Sequence, residues 1–133
     1  MNGRVLAPGT ADGNALVLTE PLSLWGGVDP ASGIVIDARH PQRGASAAGR
    51  VLVMPAVRGS SSSSSILAEA IRSGTAPAAI LLGEPDLILA VGAAVGEELY
   101  GRSVPVVLLA RDQLAEIADG ARVMVDGACV TLA

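Results

Sequence analysis

The chain has 133 residues, a net charge of −4 and a composition that is half hydrophobic, which is enough apolar material for the core of one domain. All nine basic residues are scattered arginines and aromatic residues make up only 2%, so the sequence lacks both a basic stripe and the stacking platforms of nucleic-acid binders. The one cysteine, Cys129, can form no internal disulfide and cannot hold a metal or cluster alone. The longest apolar run, residues 86–95, is too short to span a bilayer, so we expect a cytoplasmic protein that binds no membrane.

The first half of the chain predicts mainly short strands. These strands are expected at residues 4–6, 15–20, 33–37 and 51–54. The first two are joined by a predicted turn at residues 12–14, where the sequence is Asp-Gly-Asn. A short apolar segment at residues 22–25 leads into a loop with two glycines and a proline. The strand at residues 51–54 is apolar at every position, which is typical of a strand buried on both faces.

The second half alternates between helix and strand patterns. Apolar residues recur at helical spacing over residues 62–73, and Gly74 follows as a helix-terminating glycine. Asp86 predicts the N-cap of a helix that runs to Tyr100. The remaining elements are strands at residues 78–82 and 104–110, a helix at 112–119, and a closing hairpin at 123–132 that turns at Asp126-Gly127. Together they predict a single α/β domain over residues 1–133, with β/β/α architecture and a partly parallel sheet.

A run of six serines, Ser60–Ser65, begins where a predicted strand passes into a predicted helix. The first turn of a helix leaves backbone N–H groups unpaired, and the helix dipole places partial positive charge there. Gly59 would let the backbone approach a ligand closely, and Arg58 adds a cation with a bidentate fork. This combination predicts a site for a carboxylate or phosphate that would also stabilise a serine alkoxide. The alternative is that the serines only cap the helix and solvate a loop.

Two other segments are candidates for a functional site. Residues 25–30 contain Gly26 and Gly27 after the only tryptophan, which suggests close approach of the backbone to another group. The alternative there is a tight turn in which Asp29 caps the loop with its carboxylate. His40, the only histidine, lies in a polar loop, and no Ser-His-Asp triad is evident. That setting favours a surface or hinge role over catalysis.

Four segments taken together resemble the small swivel subunit of the aconitase X family. They are residues 22–30, 37–44, 49–60 and 74–80. The most specific feature is the combination of Gly-Gly-Val-Asp-Pro, Arg-Gly-Ser and Gly-Thr-Ala-Pro-Ala-Ala at these separations. The resemblance extends over residues 3–110, which is most of the chain.

The resemblance implies a swivelling domain, like the mobile domain of aconitase, that works with a large subunit. That large subunit would carry the cysteines for an iron–sulfur cluster, so no metal is expected on this chain. Family members dehydrate small hydroxy acids, either cis-3-hydroxy-L-proline or mevalonate 5-phosphate. The family's catalytic serine matches Ser60, which would act as a general base. The substrate-binding residues would then be Arg58, Gly59, Ser61 and Ser62, and the residues that line the site or the interface would be Gly26, Gly27, Asp29 and His40.

One departure from the family and several alternatives stay open. Many members have a glycine after the catalytic serine, whereas Ser61–Ser65 are all serine here, so the loop geometry is expected to differ. The lysine-free composition suggests a bacterium with a high-GC genome, which favours cis-3-hydroxy-L-proline over mevalonate 5-phosphate as substrate. Two functions of other classes are a phosphohistidine swivel carrier that uses His40 and a non-catalytic interaction subunit.

Overall fold

The computed structural model describes residues 1–133 and contains seven strands and four helices. The strands are β1 (Arg4–Ala7), β2 (Thr10–Val17), β3 (Val51–Met54), β4 (Ala79–Leu82), β5 (Val106–Leu108), β6 (Arg122–Asp126) and β7 (Cys129–Leu132). The helices are α1 (Leu24–Gly27), α2 (Ser63–Ser73), α3 (Leu87–Tyr100) and α4 (Arg111–Ala115). None of the helices is both long and apolar enough to span a membrane.

All seven strands form one mixed sheet in the order β1-β5-β4-β3-β2-β6-β7. The four central strands, β2 to β5, are parallel to one another, and β1, β6 and β7 are antiparallel to their neighbours. The parallel strands therefore end at a common carboxyl edge of the sheet, which is the usual location of ligand sites in open α/β folds. The predicted α/β class with a partly parallel sheet is confirmed.

The sheet has a hydrophobic core on each face because alternate residues of a strand point to opposite sides. In β3, Leu52 and Met54 belong to one buried cluster, whereas Val51 and Val53 belong to the other. The first cluster includes buried residues of α2 and α3, and the second includes residues of α4 and the β6–β7 hairpin. This arrangement explains why β3 is apolar at every position.

Helices α2 and α3 pack closely because α3 has glycines on the face toward α2. A Cβ added at Gly92 would lie 2.8 Å from the carbonyl oxygen of Ser64, so only glycine fits there without a shift. The contact is with the first turn of α2. Packing of α3 therefore positions the first turn of α2, which contains the end of the serine run.

The predicted C-terminal end of α2 and both predicted ends of α3 are confirmed. Helix α2 ends at Gly74, which is left-handed with φ of 77°. The carboxylate of Asp86 accepts a hydrogen bond from the N–H of Leu89 at 2.8 Å, so Asp86 is the N-cap of α3. Helix α3 ends at Gly101, which is also left-handed. Helix α4 is shorter than predicted: it ends at Ala115 rather than at residue 119.

The predicted turn at residues 12–14 is wrong. These residues lie inside β2, where they pair with β6 in antiparallel register. Gly13 is required there because an added Cβ would lie 2.8 Å from the carbonyl oxygen of Gly49. A glycine in a strand thus marks a close backbone approach, which sequence alone does not distinguish from a turn.

Two further predictions for β-structure are corrected. Residues 33–37 form no strand and make only isolated bridges, from Val35 to Val28 and from Ile34 to Ser46. The closing hairpin turns at Gly127-Ala128 rather than at Asp126-Gly127, because Asp126 pairs with Cys129 across the hairpin. Gly127 supplies the left-handed residue of that turn, with φ of 57°.

Candidate functional site

The Ser60 loop, residues 57–62, leaves the carboxyl end of β3 and enters α2. Its position is fixed by the neighbouring segment that follows β2. Val57 forms a parallel bridge with Leu22, and the N–H of Arg58 donates to the carbonyl of Leu22 at 3.2 Å. The pairing of β2 with β3 thus continues beyond the sheet, and the loop lies at the carboxyl edge.

Ser60 is half-buried and lies directly before the helix. Its Oγ accepts a hydrogen bond from the N–H of Ser62 at 3.3 Å, and its carbonyl accepts one from Ser63 at 3.0 Å. Ser62 is the N-cap residue and α2 begins at Ser63, one residue later than the sequence predicted. The Ser60 hydroxyl is therefore held at the N-terminal end of α2, where the helix dipole favours negative charge on an oxygen.

The rest of the Ser60 loop exposes hydrogen-bond donors that this chain does not use. The N–H groups of Gly59, Ser60 and Ser61 have no acceptor within the chain. The guanidinium of Arg58 is exposed and forms neither a hydrogen bond nor an ion pair. A Cβ added at Gly59 would meet nothing within 4 Å. The loop is thus an open surface of donors suited to an anion.

Ser63 has a structural role that the sequence did not reveal. Its side chain is fully buried, and its Oγ accepts the N–H of Trp25 at 3.2 Å. The same oxygen lies 3.5 Å from the Oγ of Ser23. Ser63 thereby joins the segment around α1 to the start of α2. Ser65, by contrast, is exposed and its hydroxyl makes no hydrogen bond.

The segment at α1 is a tight turn rather than a regular helix, because two of its four residues have non-helical backbone angles. Trp25 is 57% exposed there. Gly26 is left-handed and an added Cβ would meet nothing within 4 Å, whereas Gly27 is buried against Leu22. This segment lies beside the start of α2, and the assignment of Gly26 and Gly27 to the site or to an interface stays a prediction.

In the Asp29 loop, residues 28–34, the polar groups of Asp29 form hydrogen bonds within the loop. One carboxylate oxygen of Asp29 accepts the N–H of Ala31 at 2.9 Å, and the other accepts the hydroxyl of Ser32 at 3.1 Å. The carbonyl of Asp29 accepts the N–H of Gly33 at 2.7 Å. This is the capped turn that the sequence left as an alternative. Both Asp29 oxygens are engaged within the loop, so the geometry gives Asp29 a structural role.

A polar cavity of about 180 Å³ lies beside the Ser60 loop. We call it the charged cavity, and its lining residues are Glu20, Pro21, Asp37, Arg39, His40 and Arg58. They come from three segments that are distant in sequence. Sequence reasoning did not assign Glu20, Asp37 or Arg39 to a site, because no local pattern shows that folding brings them together.

His40 is buried, which corrects the expectation of a surface position. Its Nδ1 accepts the N–H of Gln42 at 3.0 Å. Because Nδ1 is an acceptor, the ring hydrogen is on Nε2, which donates to the carbonyl of Glu20 at 3.0 Å. Both ring nitrogens therefore hold the backbone in place, and neither is free to carry a phosphoryl group.

The four charged side chains that line the charged cavity form no ion pair. Asp37 accepts one hydrogen bond, from the N–H of Arg39 at 3.0 Å, and the carboxylate of Glu20 accepts none. Most other arginines are engaged. The ion pairs are Arg50–Asp119, Arg72–Glu69, Arg111–Glu84 and Arg122–Asp12. In one of them, the hydrogen bond from Arg72 lowers the pKa of the exposed Glu69.

The residues of this chain do not fit an iron–sulfur cluster. No three residues among histidine, cysteine, aspartate and glutamate are grouped so that they could hold a metal ion. Cys129 pairs with Asp126, which in turn pairs with Thr10 at the start of β2. The only thiol thus lies at the amino edge of the sheet, opposite the Ser60 loop.

Comparison with known proteins gives consistent results. The family model described as the aconitase X swivel domain matches residues 1–132. The chain is 52% identical over 124 residues to a cis-3-hydroxy-L-proline dehydratase of Pseudomonas aeruginosa, and the match covers 88% of this chain but only 21% of that protein. It is 37% identical over 126 residues to a phosphomevalonate dehydratase small subunit of Methanosarcina mazei, with 94% of this chain and 83% of the relative covered.

The fold is also similar to a solved structure. The holo-form of Thermococcus kodakaraensis aconitase X superimposes with a TM-score of 0.89 and 35% sequence identity. The match covers 99% of this chain and 96% of that one. The curled mixed sheet and its helices are thus shared over the whole described chain.

Proposed function

We propose that this chain supplies the general base of a hydro-lyase, because it belongs to the aconitase X swivel-domain family. Dehydration removes a hydroxyl group and a proton from adjacent carbons, and Ser60 would accept the proton on its Oγ. The chain spans about a fifth of the Pseudomonas relative, so most of such an enzyme lies outside the segment described. A large subunit or domain would therefore complete the site.

The observation that carries this proposal is the hydrogen bond from the N–H of Ser62 to the Oγ of Ser60. A serine hydroxyl is a poor base unless its oxyanion is stabilised. An N–H group at a helix N-terminus donates to such an oxyanion and adds the partial positive charge of the dipole. The 11-residue α2 provides both at Ser60.

The other donors of the Ser60 loop would bind the anionic part of the substrate. The Arg58 guanidinium offers a bidentate fork for a carboxylate. The free N–H groups of Gly59 and Ser61, with the hydroxyls of Ser61 and Ser62, would complete that contact. Charge-assisted hydrogen bonds of this kind are the stronger ones available to a protein.

The iron–sulfur cluster implied by the family would be held by the large subunit, since this chain offers no ligand set for it. The names of the archaeal relatives as small subunits support a division of labour between two chains or two parts of one chain.

Two substrates are candidates. The 52% identity to the Pseudomonas enzyme favours cis-3-hydroxy-L-proline. The match over 83% of the Methanosarcina small subunit favours mevalonate 5-phosphate, because that relative is similar along nearly its whole length. Cis-3-hydroxy-L-proline is the first choice. A phosphohistidine carrier is disfavoured because both ring nitrogens of His40 are engaged.

The test is the Ser60→Ala variant in the complex with the large aconitase X partner and its cluster. We expect kcat to fall by about 10²–10⁴-fold, the range that a positioned general base contributes. Ser65→Ala is the matched control, because it removes a hydroxyl of the same run that makes no hydrogen bond. Assembly, measured by size-exclusion chromatography, should be unchanged in both variants. Near-normal turnover of Ser60→Ala would overturn the base assignment.

A further inference from the structure

We propose that the charged cavity recognises a zwitterionic substrate, with Glu20 as the residue that binds the protonated amine. This inference rests on the proposed dehydratase function and specifies the substrate class of the same site. The cavity adjoins the Ser60 loop, because one of its lining residues, Arg58, belongs to that loop. Its volume of about 180 Å³ suits a small molecule rather than a drug-sized ligand.

The charges that face the cavity are balanced. Glu20 and Asp37 contribute two carboxylates, and Arg39 and Arg58 contribute two guanidinium groups. His40 adds no charge, because its Nδ1 accepts a hydrogen bond and therefore carries no proton. A ligand with one positive and one negative group would find a partner of opposite sign for each.

The absence of ion pairs among these four side chains leaves them available to a ligand. Opposite charges on a protein surface pair readily where they can reach each other, as Arg111 does with Glu84. Of the nine arginines, Arg4, Arg39, Arg43 and Arg58 are the ones whose side chains have no partner. Two of these four line this one cavity.

The buried His40 holds the backbone of the two segments that carry these carboxylates. Its Nε2–H donates to the carbonyl of Glu20, and its backbone N–H donates to the carbonyl of Asp37 at 3.1 Å. One histidine thus joins the two acidic segments through their backbones. A site positioned before binding loses less entropy when a ligand enters. One carboxylate oxygen of Asp37 accepts the N–H of Arg39, whereas the carboxylate of Glu20 accepts no hydrogen bond. Glu20 is therefore the more available of the two for a ligand.

The two candidate substrates differ in the charged groups that they would present to the charged cavity. Cis-3-hydroxy-L-proline has a ring ammonium and a carboxylate, whereas mevalonate 5-phosphate has a carboxylate, a phosphate and no cation. The phosphorylated compound would place its excess negative charge against Glu20 and Asp37. Juxtaposed like charges discriminate against a ligand, so the cavity selects the amino acid.

The experiment compares Glu20→Gln with Glu98→Gln in the complex with its large partner. Glu98 is an exposed carboxylate on α3 without an ion pair, so it is a control for loss of one negative charge. The probes are cis-3-hydroxy-L-proline and its carbocyclic analogue, cis-2-hydroxycyclopentane-1-carboxylate, which lacks the nitrogen. Kinetics give kcat, KM and the inhibition constant of the analogue, and calorimetry gives affinities without turnover.

For Glu20→Gln we expect KM for cis-3-hydroxy-L-proline to rise about tenfold, the effect of losing one charge-assisted hydrogen bond at an exposed site. The kcat should change little, since the contact is the same before and during the reaction. Affinity for the carbocyclic analogue should not fall, and Glu98→Gln should match the wild type. Asp37→Asn, which keeps an acceptor for the Arg39 N–H, should show the same selectivity to a smaller degree.

Three results would overturn the inference. One is an unchanged KM in Glu20→Gln, and another is an equal loss of affinity for both probes, which would indicate a structural defect. The third is a wild-type complex that binds mevalonate 5-phosphate but not cis-3-hydroxy-L-proline, which would leave the dehydratase function intact. Conversely, an active Ser60→Ala variant with a selective Glu20→Gln effect would remove the base assignment and keep the inference.

Discussion

The Asp29 loop and the Ser60 loop look alike in sequence but differ in how they use their polar groups. Each has glycine beside polar residues and lies next to a buried apolar segment. In the Asp29 loop the carboxylate oxygens and Ser32 are bonded within the loop. In the Ser60 loop three N–H groups and the Arg58 guanidinium have no partner. A loop that satisfies its own donors and acceptors supports the fold, whereas an ordered loop with free donors can bind a ligand.

The glycines of the two loops show the same contrast. Gly33 is left-handed and buried, and an added Cβ would lie 2.6 Å from the carbonyl oxygen of Thr75. Thr75 in turn donates its hydroxyl to the carbonyl of Pro30 at 2.6 Å, which fastens the Asp29 loop to the end of α2. Gly59 is exposed, has no left-handed φ and has open space where a side chain would be.

The largest effect that would sharpen this comparison is expected for Gly33→Ala. A Cβ there collides with backbone and forces an alanine into the left-handed region, so the free energy of unfolding should fall by about 2–3 kcal/mol. Urea denaturation measures the change. Gly44→Ala is the control, because Gly44 also has positive φ (93°) but nothing within 4 Å of an added Cβ. Equal losses in the two variants would show that the collision contributes nothing.

A smaller loss is expected for Asp29→Ala. This variant removes the two hydrogen bonds that cap the Asp29 loop, which should cost about 1–2 kcal/mol of stability. Asp29→Asn keeps one acceptor oxygen and should lose less. Both variants should retain their turnover per folded molecule in the assembled enzyme. An Asp29→Ala protein with native stability and impaired turnover would break the comparison, because Asp29 would then contact the substrate.

The smallest effect on stability is expected for Gly59→Ala. Because the position is unstrained and open, the change should leave stability unchanged or raise it by up to about 1 kcal/mol through the unfolded chain. KM of the assembled enzyme should nevertheless rise, since a methyl group would occupy the space through which a ligand reaches the free N–H groups. Thermal unfolding and steady-state kinetics check the two parts. A clear loss of stability would show that the Ser60 loop is as constrained as the Asp29 loop.

Local chemistry made the helix ends predictable. Asp86 caps α3 and Gly74 ends α2 because a capping carboxylate and a left-handed glycine act on their immediate neighbours. The wrong predictions of a turn at residues 12–14 and of a strand at residues 33–37 arose because strand pairing depends on distant segments rather than on neighbouring residues. Gly13 lies in a strand because β6 pairs with it, whereas residues 34–36 make only single bridges, to Val28 and Ser46, and no continuous ladder.

By itself the sequence determined the α/β class, the buried strands, the position of Ser60 just before α2 and the family resemblance. Each of these depends on spacing along the chain. Only the tertiary structure decided which charges share a cavity. Glu20, Asp37 and Arg58 come from separate segments, and buried His40 brings two of them together through backbone hydrogen bonds. Such contacts depend on how distant segments pack, and no local pattern encodes them.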